Sequence, residues 1–165
     1  MRHVLAALFF WFLGAFGVLA QAANIALGTG SFDANLPVEV TADEFRVDQS
    51  SGEAVFDGNV LIVQGSLRLS AGTVTIEYAS DTSSNAISRL LASGGVTFVT
   101  DGDAAEAAEA IYSVAQGTVT LNGDVLLTQG RNAIAGDRLV VDLGSGNGRM
   151  EGRVRTVFTP SEGGN

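Results

Sequence analysis

The chain repeats itself, and the repeat constrains its fold more than any other feature. Phe56-Asp57-Gly58-Asn59-Val60-Leu61-Ile62-Val63-Gln64-Gly65 returns as Leu121-Asn122-Gly123-Asp124-Val125-Leu126-Leu127-Thr128-Gln129-Gly130. Gly52, Gly58 and Gly65 fall on Gly117, Gly123 and Gly130 without a gap. Ala42 and Glu44 fall on Ala107 and Glu109, and Val74 and Ile76 on Leu139 and Val141. A gapless match of this length marks a repeated structural unit, which stacks on its neighbours to bury its apolar face. Echoes of Gly-x-Val at Gly94-Gly95-Val96 and Gly152-Arg153-Val154 place a corner roughly every 30 residues.

The unit encodes β-structure. Phe56, Val60 and Leu61-Ile62-Val63 are apolar or β-branched, with no helix cap nearby. Gly58-Asn59 and Gln64-Gly65 are turn signals, because Gly and Asn take positive φ cheaply. Glycines at 52, 58, 65 and 72 leave strands of about five residues, roughly 17 Å long. Short strands with regular punctuation fit a sandwich, jelly roll or solenoid.

The first 22 residues are of another kind. Arg2 and His3 precede an almost unbroken apolar run from Val4 to Ala20, and Ala20-Gln21-Ala22 has the small-x-small form of a signal-peptidase site. The expectation is an export signal cut after Ala22. An uncleaved anchor fits less well, because the run is short for a membrane span. Cleavage removes the only Trp and the only His, and the chain has no Cys. The processed chain then has no imidazole and no thiol, which excludes Ser-His-Asp and Cys-His catalysis and any His/Cys zinc site. Losing Arg2 makes a net charge of −9 one unit more negative, a poor surface for nucleic acid.

Residues 23–35 are small and polar and are expected to be loose. Pro37 to Ala42 alternates apolar and polar as a half-buried strand, and its leading Pro suits an edge. Leu67-Arg68-Leu69, Val74 to Tyr78 and Val96 to Val99 alternate too. Ala104 to Tyr112 has helical composition, but the repeat register lays it on the strand from Ala42 to Val47. Register outweighs propensity, which tertiary pairing overrides. Asn132 to Ile134, Arg138 to Leu143 and Val154 to Phe158 complete the strands, with a turn over Gly144 to Gly148. Residues 159–165 form a frayed tail.

In order and spacing, these segments resemble the OstA-like family, LptA type. The resemblance rests on Pro37-Val38-Glu39-Val40-Thr41-Ala42-Asp43, Phe56-x-Gly-Asn-Val60 with Gln64-Gly65, and Ala92-x-Gly-x-Val96-x-Phe98. Ala110-Ile111-Tyr112 and Leu121-x-Gly-x-Val125 with Gln129-Gly130 complete it. It implies one domain over 36–158, an all-β, antiparallel jelly roll open at both ends. It also implies a non-enzymatic periplasmic protein that passes lipopolysaccharide from an LptC-like inner-membrane partner to an LptD-like outer-membrane partner. No cofactor or metal is implied. The edge at Pro37 and Val38 would meet the upstream partner. The edge carrying Val154 and Val157 would meet the next copy, in head-to-tail self-association.

Alternation places Val38, Val40, Phe45, Val47, Phe56, Val60, Ile62, Leu69 and Ile76 on one face. Val96, Phe98, Ile111, Leu121 and Val125 extend it. Taken singly, such residues are equally an ordinary sandwich core. The resemblance turns the set, with Tyr112, into a route for acyl chains. Two other classes stay open. Asp43-Glu44, or Asp101, Asp103, Glu106 and Glu109, could supply a glycosidase carboxylate pair, though neither sits in a catalytic frame. Asp101-Gly102-Asp103 is a fragment of a calcium loop of an adhesive solenoid, but its remaining ligands are missing.

Overall fold

The computed structural model describes residues 22–27, 33, 35–48, 50, 52–79 and 86–158, and in them every regular element is a β-strand. The expected signal peptide and the tail at 159–165 lie outside the described residues, apart from Ala22. The strands are β1 (Ala23–Ala26), β2 (Glu39–Thr41), β3 (Glu44–Asp48), β4 (Glu53–Gln64), β5 (Leu67–Tyr78) and β6 (Ile87–Val99). They continue as β7 (Asp103–Ser113), β8 (Thr118–Gln129), β9 (Asn132–Asp142), β10 (Asn147–Glu151) and β11 (Arg155–Val157). All belong to one antiparallel 11-stranded sheet in the order β1-β10-β9-β8-β7-β6-β5-β4-β2, with β3 also on β4 and β11 also on β9. It is an open-ended jelly roll.

The central strands are longer than the glycine spacing predicts, 11 to 13 residues rather than about five. The reason lies at the corners. Gly58-Asn59, Gly94-Gly95, Gly123-Asp124 and Gly152-Arg153 each place two successive residues at positive φ. At the first three, the ladders shift register while pairing continues on both sides. Each such pair is a bulge that bends its strand without ending it. Gly65 and Gly130, by contrast, lie in true hairpin turns. The corners fold the sheet along a line into two halves. One half holds β3, the Glu53–Asp57 end of β4 and their neighbours through to β10 and β1. The other holds β2, the Val60–Gln64 end of β4 and their neighbours through to β11.

The ambiguous Ala104 to Tyr112 segment is strand, within β7, because it pairs on both sides with β6 and β8. Two expectations change. Part of the segment expected to be loose, Ala23–Ala26, is β1, paired with β10. Its alternation of Ala23, Ile25 and Leu27 gives it an apolar face to bury, and Ile25 and Leu27 are in the core. The turn expected over Gly144 to Gly148 is shorter, and β10 begins at Asn147. The Gly148-Arg149-Met150-Glu151 alternation was masked by its leading glycine, which sits under the Leu27 side chain where a Cβ would lie 2.8 Å from Leu27 Cδ1.

Candidate functional site: the inner face and the two ends of the roll

The alternation of every long strand aims one set of side chains into the space between the halves. Val60, Ile62, Leu69, Ile76, Val96, Phe98, Tyr112, Leu121 and Val125 are all buried there. Val38, Val40 and Phe56 are half-buried against the same cluster. Register links them into rows that cross the strands. One row starts at Phe45 and runs through Phe56, Val74, Ala92, Ala110, Leu121 and Leu139 to Met150. It passes over eight strands, about 34 Å at the usual strand spacing, without a polar residue. Ile111 leaves the expected face: it stands opposite Leu91 and Thr120 on the outer surface, because its neighbour Tyr112 is the inward residue, opposite Leu90.

The row is unevenly covered. In its middle the halves meet in close packing. The gap lined by Leu27, Phe98, Thr100, Ala105, Leu127 and Val141 is too small for a water molecule. At its β3 end the face is open. Phe45 is 56% exposed and Val47 58%, though both point along the inner face. Phe45 stacks on Phe56 with ring centroids 4.7 Å apart.

Polar contacts hold the halves together on the side away from the corners. Tyr112 Oη donates to Gln64 Oε1 at 3.0 Å, from one half to the other. Gln64 Nε2 donates to the Leu36 carbonyl at 3.0 Å. Gln129, its repeat equivalent, donates through Nε2 to the Ala26 carbonyl at 2.8 Å and to Asp103 Oδ2 at 3.1 Å. Both repeat glutamines thus grip the chain that precedes β2. In the sequence, Gln64-Gly65 and Gln129-Gly130 carry only the mark of turn residues. Their identity at matching repeat positions was the available signal. Burial holds the Tyr112 hydroxyl neutral to higher pH than usual. Beneath Leu27, Thr100 Oγ1 is the one buried side-chain polar atom among the described residues without a partner.

The corners at the two ends carry matching latches. Asp43 N–H donates to Gly58 O at 2.9 Å, and Asn59 Nδ2 to Asp43 Oδ2 at 2.7 Å. Asp137 N–H donates to Gly152 O at 3.2 Å, and Arg153 Nη2 to Asp137 Oδ1 at 2.8 Å. The hydrogen bond from Arg153, with its charge, holds the Asp137 carboxyl below the usual carboxylate range.

The expected partner edges lie at opposite ends. Pro37 is exposed and Val38 half-buried just ahead of β2. Val154 is half-buried just ahead of β11, and Val157 is exposed on it. The ends differ in charge. Residues 33–57 carry seven carboxylates against one arginine, whereas residues 131–158 carry five arginines against three carboxylates.

The residues considered for other chemistry are dispersed. Asp43 is engaged by Asn59, and Asp103 accepts from Gln129. Asp101, Glu106 and Glu109 are exposed, the first in a turn and the others on β7. Among the described residues, no three His, Cys, Asp or Glu side chains converge on a metal-sized site.

Comparison with known proteins agrees with this architecture. Residues 39–147 match the family described as LptA/(LptD N-terminal domain) LPS transport protein. An uncharacterized protein of Rhizobium meliloti (strain 1021) is 30% identical over 155 residues, covering 88% of this chain and 83% of its own. The lipopolysaccharide export system protein LptH of Pseudomonas aeruginosa is 38% identical over 63 residues, 38% of this chain and 35% of LptH. The crystal structure of LptH, the LptA-homologous periplasmic component of the lipopolysaccharide transport device of Pseudomonas aeruginosa, shares the fold. Its TM-score is 0.68 at 22% identity, covering 78% of this chain and 99% of that one.

Proposed function

The chain belongs to the LptA/LptD N-terminal family of lipopolysaccharide-transport proteins, and from that premise we propose that it works in the periplasm as one unit of a bridge carrying lipopolysaccharide to the outer membrane. The family is one of carriers, not enzymes. The observation that carries the proposal is the apolar row from Phe45 to Met150, which runs the length of the roll and is bare at the β3 end.

In this reading the acyl chains enter at Phe45, Val47 and Phe56 and lie along the inner face. Val38, Val40, Val60, Ile62, Leu69, Ile76, Val96, Phe98, Tyr112, Leu121 and Val125 line the route. The halves part on the side away from the corners, where the chain's turns connect strands within one half and the Tyr112–Gln64 hydrogen bond is the clasp. Each buried CH₂ gains about 0.8 kcal/mol, so one long acyl chain gains on the order of 10 kcal/mol. Transfer between identical units is nearly isoenergetic, so direction comes from the upstream partner.

The Pro37–Val38 end receives an LptC-like protein or the preceding copy. The end with Val154 and Val157 passes cargo to the next copy and finally to an LptD-like protein. The acidic start and basic finish favour this head-to-tail order over like-to-like pairing. Unlike edges generate open filaments, whereas like edges close at a dimer.

The test is native mass spectrometry of the exported, processed protein with and without lipopolysaccharide, beside photo-crosslinking from position 98. The expected result is a lipid-bound species and a crosslink from Phe98 that is absent from Leu126 on the outer face. No lipid-bound species, or equal crosslinking from both positions, would refute the route.

A further inference from the structure

We propose that β1 is a stand-in for the β3 strand of a second copy of this chain, and that copies join by replacing one with the other on the β10 edge. The inference rests on the self-association read above and specifies how that interface is guarded.

Direction agrees. Every neighbouring pair from β3 through β10 to β1 is antiparallel. β1 therefore runs in the same sense as β3, β5, β7 and β9. A second copy that extends this half of the sheet by setting its β3 antiparallel to β10 brings that strand to the place β1 fills, running the same way.

Register agrees as well. The inner row that begins at Phe45 ends at Met150, whose partner on β1 is Ala23. The row that begins at Val47 ends at Gly148, whose partner is Ile25. Ala23 and Ile25 thus stand in the rows of Phe45 and Val47, with the same residues facing in.

The two ends are also complementary in what they lack. β3 has inward-facing Phe45 and Val47 more than half exposed, with no strand beyond them among the described residues. β10 has its edge paired with a strand of only four residues, with small Ala23 at the row Phe45 would fill. Exchange places a large aromatic where an alanine stood; both strands offer β10 main-chain hydrogen bonds, so the apolar area removed from water is what distinguishes them. Like charges meet in this register, since Arg46 of one copy comes opposite Arg149 of the other. Each arginine already has its own carboxylate two residues away, Glu44 at 3.7 Å and Glu151 at 3.0 Å, so four charges meet as two neutral pairs. Release of β1 costs the burial of Ile25 and Leu27 and the Gln129 hydrogen bond to Ala26. An isolated copy consequently keeps its β10 edge paired, which protects it from indiscriminate strand addition.

The chain has no cysteine, so an introduced pair reports without ambiguity. Ala26 and Asn147 are register partners on the exposed face. Such partners lie about 4.5–5.5 Å apart at Cα, within disulfide range. The processed protein carrying Ala26→Cys and Asn147→Cys is followed by sedimentation velocity over a concentration series, oxidised and then reduced. The expected result is a monomer at all concentrations when oxidised and a rising sedimentation coefficient when reduced. Equal association in both states overturns the exchange and leaves head-to-tail assembly standing. Absence of association in both states and in the unsubstituted protein overturns assembly and exchange together.

A second variant needs no displaced β1 to be inferred. Val47 shares its row with Gly148 and Ile25, so Asp48, the next residue along β3, belongs opposite Asn147, the neighbour of Gly148 that pairs with Ala26. Asp48→Cys with Asn147→Cys should give a ladder of disulfide-linked multimers, because within one copy the two positions lie at opposite ends of the roll. A lack of ladder under oxidising conditions, in protein that sediments as a multimer, overturns the register.

Discussion

Gly95 and Gly123 share a backbone conformation and differ in what surrounds them, so substituting each by alanine separates two costs. Both have φ +83°. A Cβ on Gly95 meets nothing within 4 Å, whereas one on Gly123 lies 2.8 Å from the Ala108 Cβ on the facing strand. The left-handed backbone costs an alanine about 1–2 kcal/mol, and Gly95→Ala should cost that and little more. At Gly123 the clash must be relieved by opening the corner, which adds about 1–3 kcal/mol. Thermal melts followed by strand circular dichroism check this, at roughly 4 °C per kcal/mol for a domain of this size. Gly123→Ala should therefore melt several degrees below Gly95→Ala. Ala108→Gly alone should cost about 0.5–1 kcal/mol, as glycine does in a strand. Added to Gly123→Ala it should recover most of the difference, giving a coupling of about 1–3 kcal/mol in the double-mutant cycle. Equal costs for the two alanines, or additive effects in the cycle, would refute the view that corner strands touch closely enough to fix the angle between the halves.

Two further outcomes follow from the polar contacts. Tyr112→Phe removes the donor to Gln64 and should cost about 1 kcal/mol. Since burial raises the tyrosine pKa in the folded state, wild-type stability should fall as pH rises past about 10, the unfolded value, and the phenylalanine variant should lose this alkaline dependence in urea titrations. Asp137 has a lowered folded pKa, so its contribution is present at neutral pH and is lost as pH falls below about 4 through that lowered value. Asp137→Asn should flatten the acid limb of the melting profile, and an unchanged limb would show that the Arg153 latch is immaterial to stability.

The strand character of the ambiguous Ala104 to Tyr112 stretch was legible because the repeat carries information that local composition lacks. Alanine and glutamate favour helix alone, but two flanking strands offer the backbone of β7 a full ladder on each side. The inner face was legible for the same reason: the repeat lays Val60 on Val125 and Ile62 on Leu127 but Val63 on the polar Thr128, which marks the phase that the apolar run at 60–63 leaves open. Ile111 failed because two successive apolar residues leave the phase undecided until the register to Leu90 and Leu91 is known.

Glycine spacing alone could not distinguish a turn from a corner, since both need positive φ. Whether Gly58 ends a strand or bends it depends on whether the neighbour continues past it, and β5 does. The N-terminal strand was hidden for a related reason. Ala23, Ile25 and Leu27 alternate, but four residues have too little local preference to fold without a waiting edge, and β10 supplies it from the far end of the chain.

The succession of the long strands along the chain, the face that most of them bury, and the difference in charge between residues 33–57 and 131–158 were thus set by the sequence, because alternation and charge are properties of the residues themselves. The bend at each corner, the closing of the halves over Phe98, and the covering of β10 by β1 were decided by tertiary structure. They depend on which backbones meet, and those contacts join residues that lie far apart in the chain.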